Sequence, residues 1–105
     1  MKVNHGDAPE GAVFAGVDTH ADAHWLCVLD AVGRPLLSER FPATPDGYDA
    51  LAAAVRRAGE PVAVGVEGTA TYGAGLARRL SELGLPVWEV LQPEKRRPPR
   101  GSSQR

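Results

Sequence analysis

Apolar residues along this chain fall into short groups whose spacing changes from strand-like to helix-like and back. Val13 to Val17 form an apolar run that stops at Asp18, and His24 to Leu29 form a second that stops at Asp30. The segment Asp30-Ala31-Val32-Gly33-Arg34-Pro35 carries turn chemistry: Asp to open it, Gly for a positive φ, Pro to stop pairing. Leu36 to Phe41 then reads as a third strand, and three strands joined this tightly predict an antiparallel meander. At Thr44-Pro45 the period changes, with Thr suited to an N-cap and Pro to the first helical position. Tyr48, Leu51, Ala52 and Val55 then follow the i, i+3, i+4, i+7 stripe of a helix, closed by Gly59 and Pro61. Val62 to Val66 reads as a strand with apolar cover on both faces. A second helix is expected over Tyr72 to Leu83, with Leu76, Leu80 and Leu83 on one side, followed by Gly84, Pro86 and a last strand, Val87 to Leu91.

The order is therefore β-β-β-α-β-α-β. The helix after the third strand returns the chain across the sheet, so the fourth strand lies parallel to an earlier one, by a right-handed crossover. The fold class is α/β, and the order resembles the RNase H-like (RuvC-like) mixed sheet. In that fold the strands run 3-2-1-4-5, an arrangement that the resemblance supplies and the periodicity does not.

That adjacency gives two acidic residues a shared meaning. Asp18 ends the first strand and Glu67 ends the fourth. On parallel neighbours, about 4.8 Å apart, both emerge at one edge of the sheet. Carboxylates that close repel unless a cation sits between them. Hard oxygen ligands favour Mg²⁺ or Mn²⁺, and a pair of such ions can hold the attacking and leaving oxygens of a phosphodiester. Taken singly, an Asp at a strand end is a common turn former and a Glu before a helix a common cap. Their placement on two neighbouring strands is what singles them out as catalytic metal ligands. Asp18, His20, Asp22 and His24 also alternate, as a transition-metal site would on one strand, but Ala21 to Ala23 spans a turn that breaks that face.

Composition narrows the setting. The chain has 105 residues, room for one small domain, and 43% hydrophobic residues, enough for a core. With a formal net charge of -1, the total charge does not decide for or against nucleic acid, so its distribution must. Basic residues gather at the end, where Lys95, Arg96, Arg97 and Arg100 could contact phosphates, or simply remain solvated. The single cysteine, Cys27, excludes a disulfide framework or a Cys-cluster zinc site. Its apolar neighbours predict a buried thiol. Met1 to Gly11 has no apolar signal region, and no run approaches the roughly 20 apolar residues that span a bilayer. The expectation is a cytoplasmic protein with no membrane contact. It has a flexible arm over 1–11, a partial RNase H-like domain over 12–92 and a disordered basic tail over 93–105.

Three blocks carry a more specific likeness. Gly16-Val17-Asp18-Thr19-His20, with His24 and Asp30-Ala31-Val32-Gly33-Arg34 after it, resembles the opening of the DEDD insertion-sequence transposases, the IS one-ten group. Phe41-Pro42-Ala43-Thr44-Pro45-Asp46-Gly47 and Val64-Gly65-Val66-Glu67-Gly68-Thr69-Ala70-Thr71-Tyr72 are similar to that family's later segments. The likeness spans roughly residues 13 to 97. It implies an RuvC-like nuclease domain in which four acids, Asp-Glu-Asp-Asp, bind divalent metal, with DNA as substrate and a structured guide RNA as partner. By position, Asp18 would be the first acid and Glu67 the second. No Asp follows Asp49 in these 105 residues, so the fold is expected to be incomplete at its C-terminus and the chain alone to lack strand-transfer activity. An uncovered sheet face, and with it self-association or pairing with a full-length transposase, would follow. Two other readings compete: an actin-like or sugar-kinase ATPase lobe, and a non-catalytic nucleic-acid-binding accessory. Asp18-Thr19-His20-Ala21-Asp22 lacks the glycine that a phosphate-binding hairpin would use, which argues against the first.

Overall fold

The computed structural model describes residues 11–91. Three strands come first: β1 (Ala12–Thr19), β2 (Ala23–Asp30) and β3 (Pro35–Pro42). Helix α1 (Pro45–Ala58), β4 (Glu60–Glu67), α2 (Ala74–Glu82) and β5 (Val87–Val90) follow. The five strands form one sheet in the order β3-β2-β1-β4-β5. β1 runs antiparallel to β2 and parallel to β4, and β5 runs parallel to β4 on its far side. The fold is the expected α/β class with an RNase H-like mixed sheet.

Local chemistry explains most boundaries. Asp30 accepts from the backbone N–H of Val32 and of Arg34 through Oδ1, holding the β2–β3 turn, and Gly33 supplies φ +89° within it. Thr44 caps α1 through its side chain, which accepts from Gly47 N at 3.0 Å, with Pro45 in the first turn. The second helix begins two residues later than the pattern suggested. Tight turns centred on Gly68 and Thr71 occupy the start of that segment, and Gly73 takes the N-cap position. Strand β4 begins earlier than expected, at Glu60, and takes in Pro61. There the β1–β4 register shifts, and β5 pairs with β4 only from Val64 onward, so Pro61 breaks no ladder on that side. Gly11, assigned to the arm, is tied in, because its carbonyl accepts from Glu60 N at 2.9 Å.

Both helices pack on one face of the sheet. Alternation sends Val13, Ala15 and Val17 of β1, Leu26 and Val28 of β2, and Val64 and Val66 of β4 to that side. They meet Leu51 and Val55 of α1 and Leu76 and Leu80 of α2, all fully buried. Among the described residues nothing covers the opposite face. Gly16, Asp18, Trp25 and Cys27 are exposed there. Two sequence readings change accordingly. β4 is covered on one side, its open side carrying the small residues Ala63 and Gly65 as well as Glu67. Cys27 is exposed and not buried, because it shares the parity of Trp25, whose partner across the sheet is Asp18.

Candidate metal centre

Asp18 and Glu67 are brought together by register. Gly16 pairs with Gly65 and Val17 with Val66, so the next position on each strand carries a carboxylate, at the carboxyl ends of two parallel neighbours. Parity places both on the open face. They line an open trough of about 400 Å³ whose walls include Trp25, Cys27 and Val90 and whose floor is Gly16 and Gly65. Paired glycines leave room above the sheet. A Cβ on Gly65 would lie 2.8 Å from Cγ2 of Val90, so a side chain there would force Val90 to shift.

The two strand ends are fastened to each other. Thr19, next to Asp18 but facing the helices, donates from Oγ1 to the Glu67 carbonyl at 2.9 Å. Directly after Glu67 the chain turns through Gly68 at φ +69°, a conformation that favours glycine, and a Cβ there would also sit 2.6 Å from Thr19 Oγ1. The carbonyl of Gly68 then accepts from Thr71 N and Gly73 N, leading into α2. His20 Nε2 lies 3.2 Å from Asp18 Oδ2, with both side chains more than half exposed. Trp25 donates from Nε1 to Ser38 Oγ at 2.9 Å, which holds the indole along the β2–β3 side of the trough.

The β1–β2 turn divides the alternating Asp and His residues. His24 pairs with Thr19 across the ladder and faces the helices, away from Asp18. Its ring is 1% exposed and stacks on Tyr48, with centroids 5.8 Å apart and planes inclined by 15°. Burial pushes its pKa below the usual 6.5. No group of three or more His, Cys, Asp or Glu side chains with metal-site geometry occurs among the described residues. Two hard carboxylates on adjacent strand ends nonetheless suit Mg²⁺ or Mn²⁺, which take oxygen ligands and keep several waters.

Pattern reading reached Asp18 and Glu67 but missed their supports. Thr19 and His20 stood in the quoted Gly16-Val17-Asp18-Thr19-His20 block, and His20 in the discarded alternation, but neither was given a role. The parity of Asp18 was the available signal for Trp25 and Cys27. Lys95, Arg96, Arg97 and Arg100 lie outside the described residues. No described helix is long and apolar enough to cross a membrane.

A family model described as a transposase, of the DEDD IS110 type, matches residues 15–102. No curated protein matches the chain. The match begins within β1, takes in both Asp18 and Glu67 and extends past β5. The chain belongs to the DEDD transposase family of the IS110 group.

Proposed function

We propose that residues 12–92 form the N-terminal part of a metal-dependent nuclease domain that cleaves and rejoins DNA strands during transposition, with Asp18 and Glu67 as its first two metal ligands. The observation that carries this reading is the β1–β4 register, which continues from Val17 and Val66 directly to the two acids. A divalent ion held there would neutralise charge on a scissile phosphodiester and hold its reacting oxygens. The chain's own part is to present two carboxylates on a rigid rim, above a glycine floor that admits a bulky backbone. Mg²⁺ is the natural ion and Mn²⁺ its working substitute.

Residues 1–105 hold candidates for two of the four acids in the family's name. Lys95, Arg96, Arg97 and Arg100 would approach DNA or a structured guide RNA, with binding that weakens as salt rises. The open apolar face suits a further copy of the chain or a full-length transposase. The cytoplasm is the compartment in which this chemistry would operate.

Mn²⁺ added to the isotope-labelled chain should broaden the amide signals of Asp18, Thr19, Glu67 and Gly68 before others. Asp18→Ala and Glu67→Ala should each abolish that selectivity. Broadening that stays the same in both variants, or that centres elsewhere, would overturn the assignment. A DNA-cleavage assay with Mg²⁺ or Mn²⁺ completes the test, since robust cleavage lost in Asp18→Ala would refute the expected inactivity.

A further inference from the structure

We infer that His20 is a positioning residue for the Asp18 carboxylate, and that it raises the affinity of the rim for a divalent cation. This rests on the reading of Asp18 and Glu67 as metal ligands. An ionised carboxylate only accepts hydrogen bonds, so in the 3.2 Å contact the imidazole donates from Nε2 to Asp18 Oδ2. That bond occupies one oxygen and leaves Oδ1 outside it. An exposed Asp otherwise samples several side-chain rotamers, and a cation must select one at an entropic cost.

The imidazole can serve as a fixed donor because its backbone is held on both sides. His20 N donates to Ala23 O at 3.0 Å, which closes the β1–β2 connection in a single tight turn. Thr19, the preceding residue, is bonded through Oγ1 to the Glu67 carbonyl. His20 therefore projects from a point tied to both strand ends that carry the acids. A bond of this kind behind a metal-binding carboxylate commonly changes affinity by about 10–100-fold. The exposure of both partners, 63% and 57%, puts the expected effect at the low end, about ten-fold.

The experiment is a Mn²⁺ titration of the whole chain by electron paramagnetic resonance, with every chain measured in the same buffer. The chains compared are the wild type, Asp18→Ala, His20→Ala and His20→Gln, whose amide nitrogen can reach the place of Nε2. His20→Ala should weaken Mn²⁺ binding about ten-fold, and His20→Gln should stay within about three-fold of the wild type. Both should unfold thermally at the wild-type midpoint, which separates positioning from a structural role. Equal or tighter binding by His20→Ala, while Asp18→Ala abolishes it, would overturn the role of His20 alone. Binding that Asp18→Ala leaves unchanged would overturn the metal-ligand reading and this inference with it. Failure of His20→Gln to recover affinity would also refute positioning by a donated hydrogen bond.

Discussion

Acidification should destabilise this fold through His24 before its surface carboxylates respond. The ring is 1% exposed, and neither Nδ1 nor Nε2 has a hydrogen-bond partner. A proton added there would charge a desolvated group, and burial outweighs the Ala23 backbone contact that favours the charged form, so the folded pKa lies below 6.5. The unfolded chain therefore takes up the proton first. Stability is complete above about pH 6.5 and declines below it by up to about 1.4 kcal/mol per pH unit. The decline levels off once pH passes the folded pKa. The carboxylates act lower. The Arg34 backbone N–H, with help from Val32 N and the Arg34 guanidinium, holds Asp30 below its ordinary 3.8, and the Arg79 guanidinium does the same for Asp49. Their contribution is present above that value and is lost only as pH falls through their lowered folded pKa values. Urea unfolding at several pH values, on the wild type and His24→Phe, isolates the effect. Phe keeps an aromatic ring against Tyr48 and removes both orphaned nitrogens, so it should add about 1–3 kcal/mol at neutral pH and flatten the profile below about pH 6.5. An equal slope in the two proteins, or a less stable His24→Phe at neutral pH, would refute the reasoning. The second result would mean that the imidazole is satisfied in solution, for example by an ordered water.

Three further outcomes follow from the geometry. Gly47→Ala would place a Cβ 1.9 Å from the Pro42 carbonyl oxygen, so the first turn of α1 must move; a loss of about 2–3 kcal/mol is expected in chemical denaturation. Thr19→Val keeps the shape and deletes the bond to the Glu67 carbonyl, and should cost about 1–2 kcal/mol while weakening Mn²⁺ retention in the same titration. Cys27 should react with a thiol-specific chromogenic reagent in the native protein, without denaturant, and a thiol that reacts only in denaturant would contradict its exposure.

Element order was legible because each boundary carries its own chemistry: the Asp30 turn, the Thr44 cap with Pro45, and Gly84 ahead of Pro86. Asp18 and Glu67 were legible as strand-end acids, whereas their adjacency came from the likeness to a known sheet order. Cys27 was misread because apolar neighbours on both sides imitate a core strand. Alternation from Asp18 through its cross-strand partner Trp25 settles the side on which the thiol falls. The onset of α2 was obscured because the segment from Glu67 to Gly73 folds into turns that hydropathy cannot distinguish from a first helical turn. The supports at Thr19 and His20 were invisible because each depends on a specific hydrogen bond across a turn or between strands.

If Asp18 and Glu67 bind a cation as proposed, the pairing of Val17 with Val66 would make that binding a sensor of strand alignment. Slippage of β4 by one residue would send Glu67 among the core side chains, and slippage by two would carry it a full pleat away from Asp18. Only one alignment offers the ion both carboxylates. A bound ion would thus select that alignment over its slipped competitors, by an amount that grows with free ion concentration. In a nascent chain, β1 can pair with β2 at once but must wait for about fifty residues to emerge before its parallel partner β4 arrives. For such a chain the ion would act as a late proofreader of sheet assembly as well as an agent of chemistry.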